Sequence, residues 1–133
     1  MFRVSCIQLK SNNNVLYNLK KTEKLISKAV KQKSDFILTP EISSLFSLEK
    51  KKLLKICKSM KEDFYLNGIK KLAKKYQKWI LIGSLIIKVK KNKLVNRSVL
   101  IDKTGKIRTY YDKIHMYDVV LSKREKYFES EIF

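Results

Sequence analysis

Apolar and polar residues follow two rhythms along this chain, and the rhythms lay out its elements. Residues 2–9, FRVSCIQL, alternate with a period near two and predict a first strand. The polar tract at 11–14, SNNN, is turn-like and offers a helix N-cap. From Val15 to Lys33 apolar residues recur at 15/16, 19, 25/26 and 29/30, the spacing of an amphipathic helix. Phe36, Ile37, Leu38 and Thr39 predict a short buried strand, ended by Pro40, which has no N–H to give to a ladder. After a loop over 42–46, Ser47 is placed to start a lysine-rich helix reaching about Cys57. The run Ser59, Met60, Lys61, Glu62 fits a capping box that opens another helix to about Tyr76.

Residues 79–89, WILIGSLIIKV, read as a strongly apolar strand. Two more strands follow, LVNRSVLID and IRTYYDK, separated by short polar turns that carry the Asn or Gly of hairpins. The order β-α-β-(α)-α-β-β-β is that of an α/β chain. Past His115 the periodicity fades and predicts no element. The run to Phe133 closes without a helix stop or a polar tail, so the domain is expected to be incomplete.

Composition narrows the reading. A length of 133 residues with 44% apolar content suits one domain with a real core. No run of about 18 apolar residues is present to span a bilayer, so a membrane partner is not expected. The N-terminus lacks the basic-then-apolar layout of a secretory signal, and Cys6 and Cys57 are the only cysteines. Reduced thiols and a cytoplasmic protein are expected. The net charge of +19 invites a nucleic-acid partner, but of the 31 basic residues only Arg3, Arg97, Arg108 and Arg124 are arginine. Lysine is a solvated point charge rather than the bidentate fork that reads phosphates and bases. The abundance of Ile, Lys and Asn fits codon bias, which argues against nucleic acid.

The candidate chemistry is sparse. One histidine, His115, and two distant cysteines make no metal-ligand set, and Gly68, Gly83 and Gly105 are too scattered to cradle a phosphate. No nucleophile elbow is present. Three segments remain: Leu38-Thr39-Pro40-Glu41 at a strand end, Lys113 among the aromatics of 110–119, and Glu129 in 127–130. Ligand sites collect where strands end, so an acid and a lysine at two strand ends are able to face one pocket.

In combination and order these segments resemble the carbon–nitrogen hydrolase (nitrilase) superfamily, best its small-amidase and omega-amidase-like branch. The resemblance runs from about Arg3 to Ser130 and is most specific from Asn96 through Asp118, where an Asn-containing strand, a Gly turn and a Tyr-x-Lys-x-His run succeed one another. It implies an N-terminal part of a four-layer α-β-β-α sandwich, with residues 1–133 as a domain whose C-terminal half is absent. It also implies hydrolysis of linear amides by a Glu-Lys-Cys mechanism through a thioester. Glu41 would be the general base toward a thiol, Lys113 the cation facing the oxyanion, and Glu129 an additional acid orienting the lysine or the amine. No cofactor is implied, and the partner is a small-molecule amide substrate.

The sequence departs from the pattern at the nucleophile. In the family the cysteine follows the lysine by several tens of residues, in a Gly-x-x-x-Cys-Tyr-Asp-like turn, and none of the residues after Lys113 is cysteine. Cys6 reads as a buried strand thiol, and Cys57 sits among Lys55, Lys58 and Lys61, which would favour a thiolate but without a matched base. Milder departures are Thr39 before Pro-Glu, Asp112 where Arg is common, and Met116-Tyr117 for a Leu-Phe pair. The chain alone is therefore expected to be inactive and to associate, as a homo-oligomer or with a complementary chain. The alternatives are a non-catalytic pseudoenzyme fragment and a basic module binding RNA or an anionic surface.

Overall fold

In the computed structural model, which describes residues 1–122 and 125–133, strand β1 (Val4–Cys6) leads into helix α1 (Val15–Lys31) and strand β2 (Phe36–Thr39). Helices α2 (Lys50–Ile56) and α3 (Phe64–Tyr76) precede three longer strands, β3 (Trp79–Lys90), β4 (Lys93–Ile101) and β5 (Ile107–Asp112). A two-stranded hairpin, β6 (Asp118–Val120) and β7 (Lys126–Phe128), and a 3-10 turn over Glu129–Glu131 close the order. The first five strands form one sheet in the order β1-β2-β3-β4-β5, parallel across β1, β2 and β3 and antiparallel across β3, β4 and β5. No helix among the described residues is long and apolar enough to cross a membrane.

Side chains alternate across this sheet, and each face has its own cluster. Ile37, Ile80, Ile82, Val99 and Ile101 are buried against α1 and α3. Those helices present Ile26 and Ala29, and Tyr65, Leu66 and Ile69, at the i, i+3, i+4 spacing of an apolar stripe. The intervening positions build the second cluster, where Ile86 and Leu94 meet Leu45, Leu53, Cys57 and Ile132. Nearer β1 that second face is open. Leu38, Leu81 and Leu100 share one cross-strand row and are only half-buried, and Cys6 at the end of the row is exposed. The expectation of a buried thiol at Cys6 is thereby corrected: it lies on an edge strand, on the uncovered face.

Several boundaries differ from the sequence pattern. β1 is shorter than 2–9 because its partner β2 ends at Pro40, and the last bond of the pair runs from the Ile7 N–H to the Leu38 carbonyl. The run Ser59–Glu62 does not cap α3. The Ser59 hydroxyl is spent on the Glu62 carboxylate (2.7 Å), and Asp63 caps instead by accepting from the Leu66 N–H (2.7 Å). Likewise α2 begins at Lys50, because the Ser47 hydroxyl accepts from the Glu49 N–H in a turn. Asn14 does cap α1, as the polar tract suggested, accepting from the Tyr17 N–H at 3.0 Å.

A β-bulge interrupts β3 and shapes the turn after β2. Ile82 pairs with Val99 and Leu85 with Arg97, so Gly83 and Ser84 together oppose Ser98. The bulge frees Ser84 to bond that turn. Its carbonyl accepts from the Ser43 N–H (2.9 Å), its N–H donates to the Pro40 carbonyl (3.3 Å), and its Oγ accepts from the Ile42 N–H (2.8 Å). These bonds hold Ile42 at φ 48°, a left-handed conformation that costs a β-branched residue about 1–3 kcal/mol. Gly83 is required by the same close approach, since a Cβ there would collide with the Thr39 carbonyl oxygen and lie 2.7 Å from the Pro40 carbonyl. Gly83→Ala is expected to destabilise the chain by about 1–3 kcal/mol in denaturant unfolding. Gly68→Ala, whose Cβ meets only the flexible end of Leu19, is expected to cost less.

Candidate active site

The turn fixed by the bulge carries Glu41, whose side chain is 57% exposed at the mouth of a cleft of about 290 Å³. The cleft is lined by Glu41, Lys113 and Glu129 together with Leu9, Ser11, Ile42, Phe46, Tyr117 and Tyr127. The three residues singled out in the sequence thus meet in one place, although they come from three separate segments. Lys113 follows the last residue of β5 and continues its ladder, its N–H donating to the Asn96 carbonyl at 2.9 Å. Glu129 follows β7, and the hairpin returns it beside Tyr117.

The Lys113 ammonium bridges both acids, donating to Glu41 Oε1 at 3.0 Å and to Glu129 Oε2 at 2.7 Å. Asn96 makes the same bridge from the sheet floor, its Nδ2 donating to Glu41 Oε1 (2.8 Å) and Glu129 Oε1 (3.2 Å). Glu129 also accepts from the Tyr117 N–H at 2.6 Å. Asn96 and Glu129 are 1% and 2% exposed, so the bond between them is made away from competing water, whereas the Lys113–Glu41 bond is exposed.

Burial pushes the Glu129 carboxyl up, but the Lys113 ammonium, the Tyr117 N–H and the Asn96 amide outweigh it and leave it below its ordinary value of 4.5. Burial likewise opposes the charge on Lys113, and the two carboxylates prevail, holding the ammonium above its ordinary 10.5. The arrangement is an acid open to the cleft, an acid closed from it, and a lysine kept charged between them.

Asn96 is the member that sequence reasoning missed as a functional group. Its signal was present: an amide in the middle of the apolar strand LVNRSVLI, on the face that also carries Leu94 and Leu100. Cys57 corrects the opposite way. Lys55, Lys58 and Lys61 suggested a thiolate, yet the side chain is buried in the second cluster, and burial, with Asp63 nearby, pushes its thiol up to about 12. Neither cysteine lines the cleft.

This geometry is open to two measurements. Because the Glu129 carboxyl is depressed on folding, its contribution to stability is present above pH 4.5 and is lost as pH falls through its lower folded value. Unfolding free energy is expected to decline below about pH 4.5, and Glu129→Gln is expected to flatten that decline in part. The remaining slope belongs to Asp102, Asp112 and Asp118, which are also depressed. Alkylation of the native chain with iodoacetamide is expected to modify Cys6 and spare Cys57, with both reacting in denaturant; mass spectrometry of the peptides reads the outcome.

The family model described as carbon-nitrogen hydrolase matches residues 3–133. The nitrilase and fragile histidine triad fusion protein NitFhit of Caenorhabditis elegans is 24% identical over 130 residues, covering 96% of this chain and 29% of that protein. Its crystal structure superposes with a TM-score of 0.84 over 99% of this chain and 33% of the other. A deaminated glutathione amidase from Yersinia enterocolitica is 28% identical (98% and 46% covered), and an omega-amidase from Saccharomyces cerevisiae is 26% identical (97% and 46%). The chain therefore spans less than half the length of these relatives. Its sheet and helices are the corresponding part of the nitrilase fold, α/β as the pattern indicated, and the chain belongs to the carbon-nitrogen hydrolase family.

Proposed function

We propose that this chain supplies the base and the cation of an amide hydrolase whose nucleophile comes from outside the 133 residues. The observation that carries the reading is the Lys113 ammonium held between one exposed and one buried carboxylate at the mouth of the cleft. Glu41 is the general base, since it alone of the two acids is open to an incoming thiol. It takes the thiol proton, the sulfur adds to the amide carbonyl carbon, and negative charge develops on the carbonyl oxygen. Lys113 faces that oxygen, where a fixed cation lowers the barrier most. As the C–N bond breaks, the proton held by Glu41 passes to the departing amine. Water then cleaves the thioester by the same base, so the sum is amide plus water giving acid plus amine. Glu129 is a positioning residue, buried and bonded to Lys113, and Asn96 fixes both carboxylates.

Neither Cys6 nor Cys57 suits the nucleophile: one sits on the edge strand β1, the other is buried with its thiol protonated. The relatives are more than twice as long, and the missing thiol belongs with the part that this chain does not span, either on one polypeptide or on a complementary chain. A free thiol nucleophile requires reducing conditions, which suits the cytoplasm. The basic-module alternative needs its cations gathered on one surface. Exposed lysines instead lie on α1 and α3 over one face of the sheet, on α2 over the other, and in the β3–β4 turn.

A chimera tests the proposal, with residues 1–133 replacing the matching half of the Yersinia relative. Release of ammonia from a small linear amide is expected, and Glu41→Gln or Lys113→Met in the chimera is expected to lower kcat by about 10²–10⁴-fold. Turnover that survives both substitutions would refute the assignment.

A further inference from the structure

Lys113 has a weakness that its bonding at the cleft does not explain. It hangs from β5, an edge strand whose residues Arg108, Thr109, Tyr110 and Tyr111 are all exposed. The ladder between β4 and β5 already carries an irregularity at Leu100 and Ile101. Strand register repeats with a period of two, so a one-residue slip of β5 would exchange the faces of its side chains. Lys113 would leave the cleft, and the Asp112 carboxylate would enter it beside Glu41 and Glu129.

At the Lys113 end of β5 a cross-strand pair opposes that slip, as Arg108 and Asp102 do at the other end. Arg97 and Asp112 are cross-strand partners, one rung before Asn96 and Lys113 and on the opposite face of the sheet. The guanidinium meets the carboxylate as a fork, Nε to Oδ1 at 2.6 Å and Nη2 to Oδ2 at 2.8 Å. The Arg97 side chain is only 10% exposed. Its third donor reaches the Met60 sulfur at 2.8 Å, and its Cζ lies over the Tyr110 ring, 4.1 Å from the ring centre. A bidentate pair fixes orientation as well as distance, which a single lysine contact does not.

We infer that Arg97 and Asp112 are positioning residues that lock β5 in register and so deliver the Lys113 ammonium to Glu41 and Glu129. The inference rests on Lys113 being the cation of the proposed hydrolase, and it assigns the pair a role on the far face of the sheet, out of contact with any substrate. Asp112 acts on the site through the backbone it shares with Lys113; Arg97 acts through the strand it shares with Asn96.

The test reads Lys113 itself rather than turnover. In the full chain labelled with nitrogen-15 lysine, an ammonium held by two carboxylates gives a slowly exchanging cross-peak at neutral pH, assigned by its loss in Lys113→Ala. Asp112→Asn and Arg97→Lys are each expected to lose that signal while circular dichroism shows the fold retained. The exchanged pair, Arg97→Asp with Asp112→Arg, is expected to recover it. The exchange separates position from field: if the charge at 112 acted on Lys113 directly through space, the exchanged pair would be the worst of the three. Persistence of the signal in a folded Asp112→Asn or Arg97→Lys chain, or its absence from the folded exchanged pair, overturns the lock and leaves the proposed function standing. Absence from the unsubstituted chain overturns both. Should Asp112→Asn fail to fold, Arg97→Lys, which keeps the charge and loses only the fork, decides the question.

Discussion

A carboxylate buried as deeply as Glu129 is tolerable only when donors surround it, and the rest of the site is built around meeting that requirement. Three donors do so: an ammonium from the end of β5, an amide from the middle of β4, and a backbone N–H from the segment before β6. Each comes from a different element, so the buried charge ties the hairpin to the sheet. Breaking such a set by removing one partner is costly, because it leaves an uncompensated charge in a dry place. Two of these donors also hold Glu41, but from the wet side. Burial and the Tyr117 N–H set the two acids apart: Glu129 is closed in, while Glu41 stays exposed to the cleft.

The second constraint is the bulge in β3. A regular strand would have turned the Ser84 backbone groups into its own ladder. Displaced by one residue, they serve the neighbouring turn instead, and the apolar strand β2 ends in a defined geometry rather than a flexible loop. Glu41 and Lys113 are thus placed by separate devices, a bulge for the one and a cross-strand rung for the other. The Asn96 amide joins the two devices on the cleft side of the sheet, since it bonds Glu41 and shares the rung with Lys113.

Much of this was legible in the sequence. The long elements announced themselves, because α1, α3, β3 and β4 each repeat their pattern several times and Pro40 marks an end that chemistry enforces. Glu41, Lys113 and Glu129 were legible through their order along the chain, which no single motif supplies. The hairpin β6–β7 was not, since strands of three residues are shorter than any period they could display. The start of α3 was misplaced because Ser59 and Asp63 are both good caps, and sequence does not say which oxygen the backbone will find. Burial decided the cysteines against local appearance. The lysines around Cys57 are near it in sequence, while its side chain turns away from them into an apolar cluster.

The left-handed turn at Ile42 gives the site a thermodynamic character of its own. Conformational freedom that a mobile acid would surrender on meeting its substrate has already been surrendered here, when the chain folded. Folding stability and the readiness of the proposed base are therefore coupled in opposite directions at this one position. A glycine at 42 would relieve the strained backbone and, in the same stroke, restore to Glu41 the freedom it gave up on folding. Stability and the placement of Glu41 trade against each other across a single φ angle.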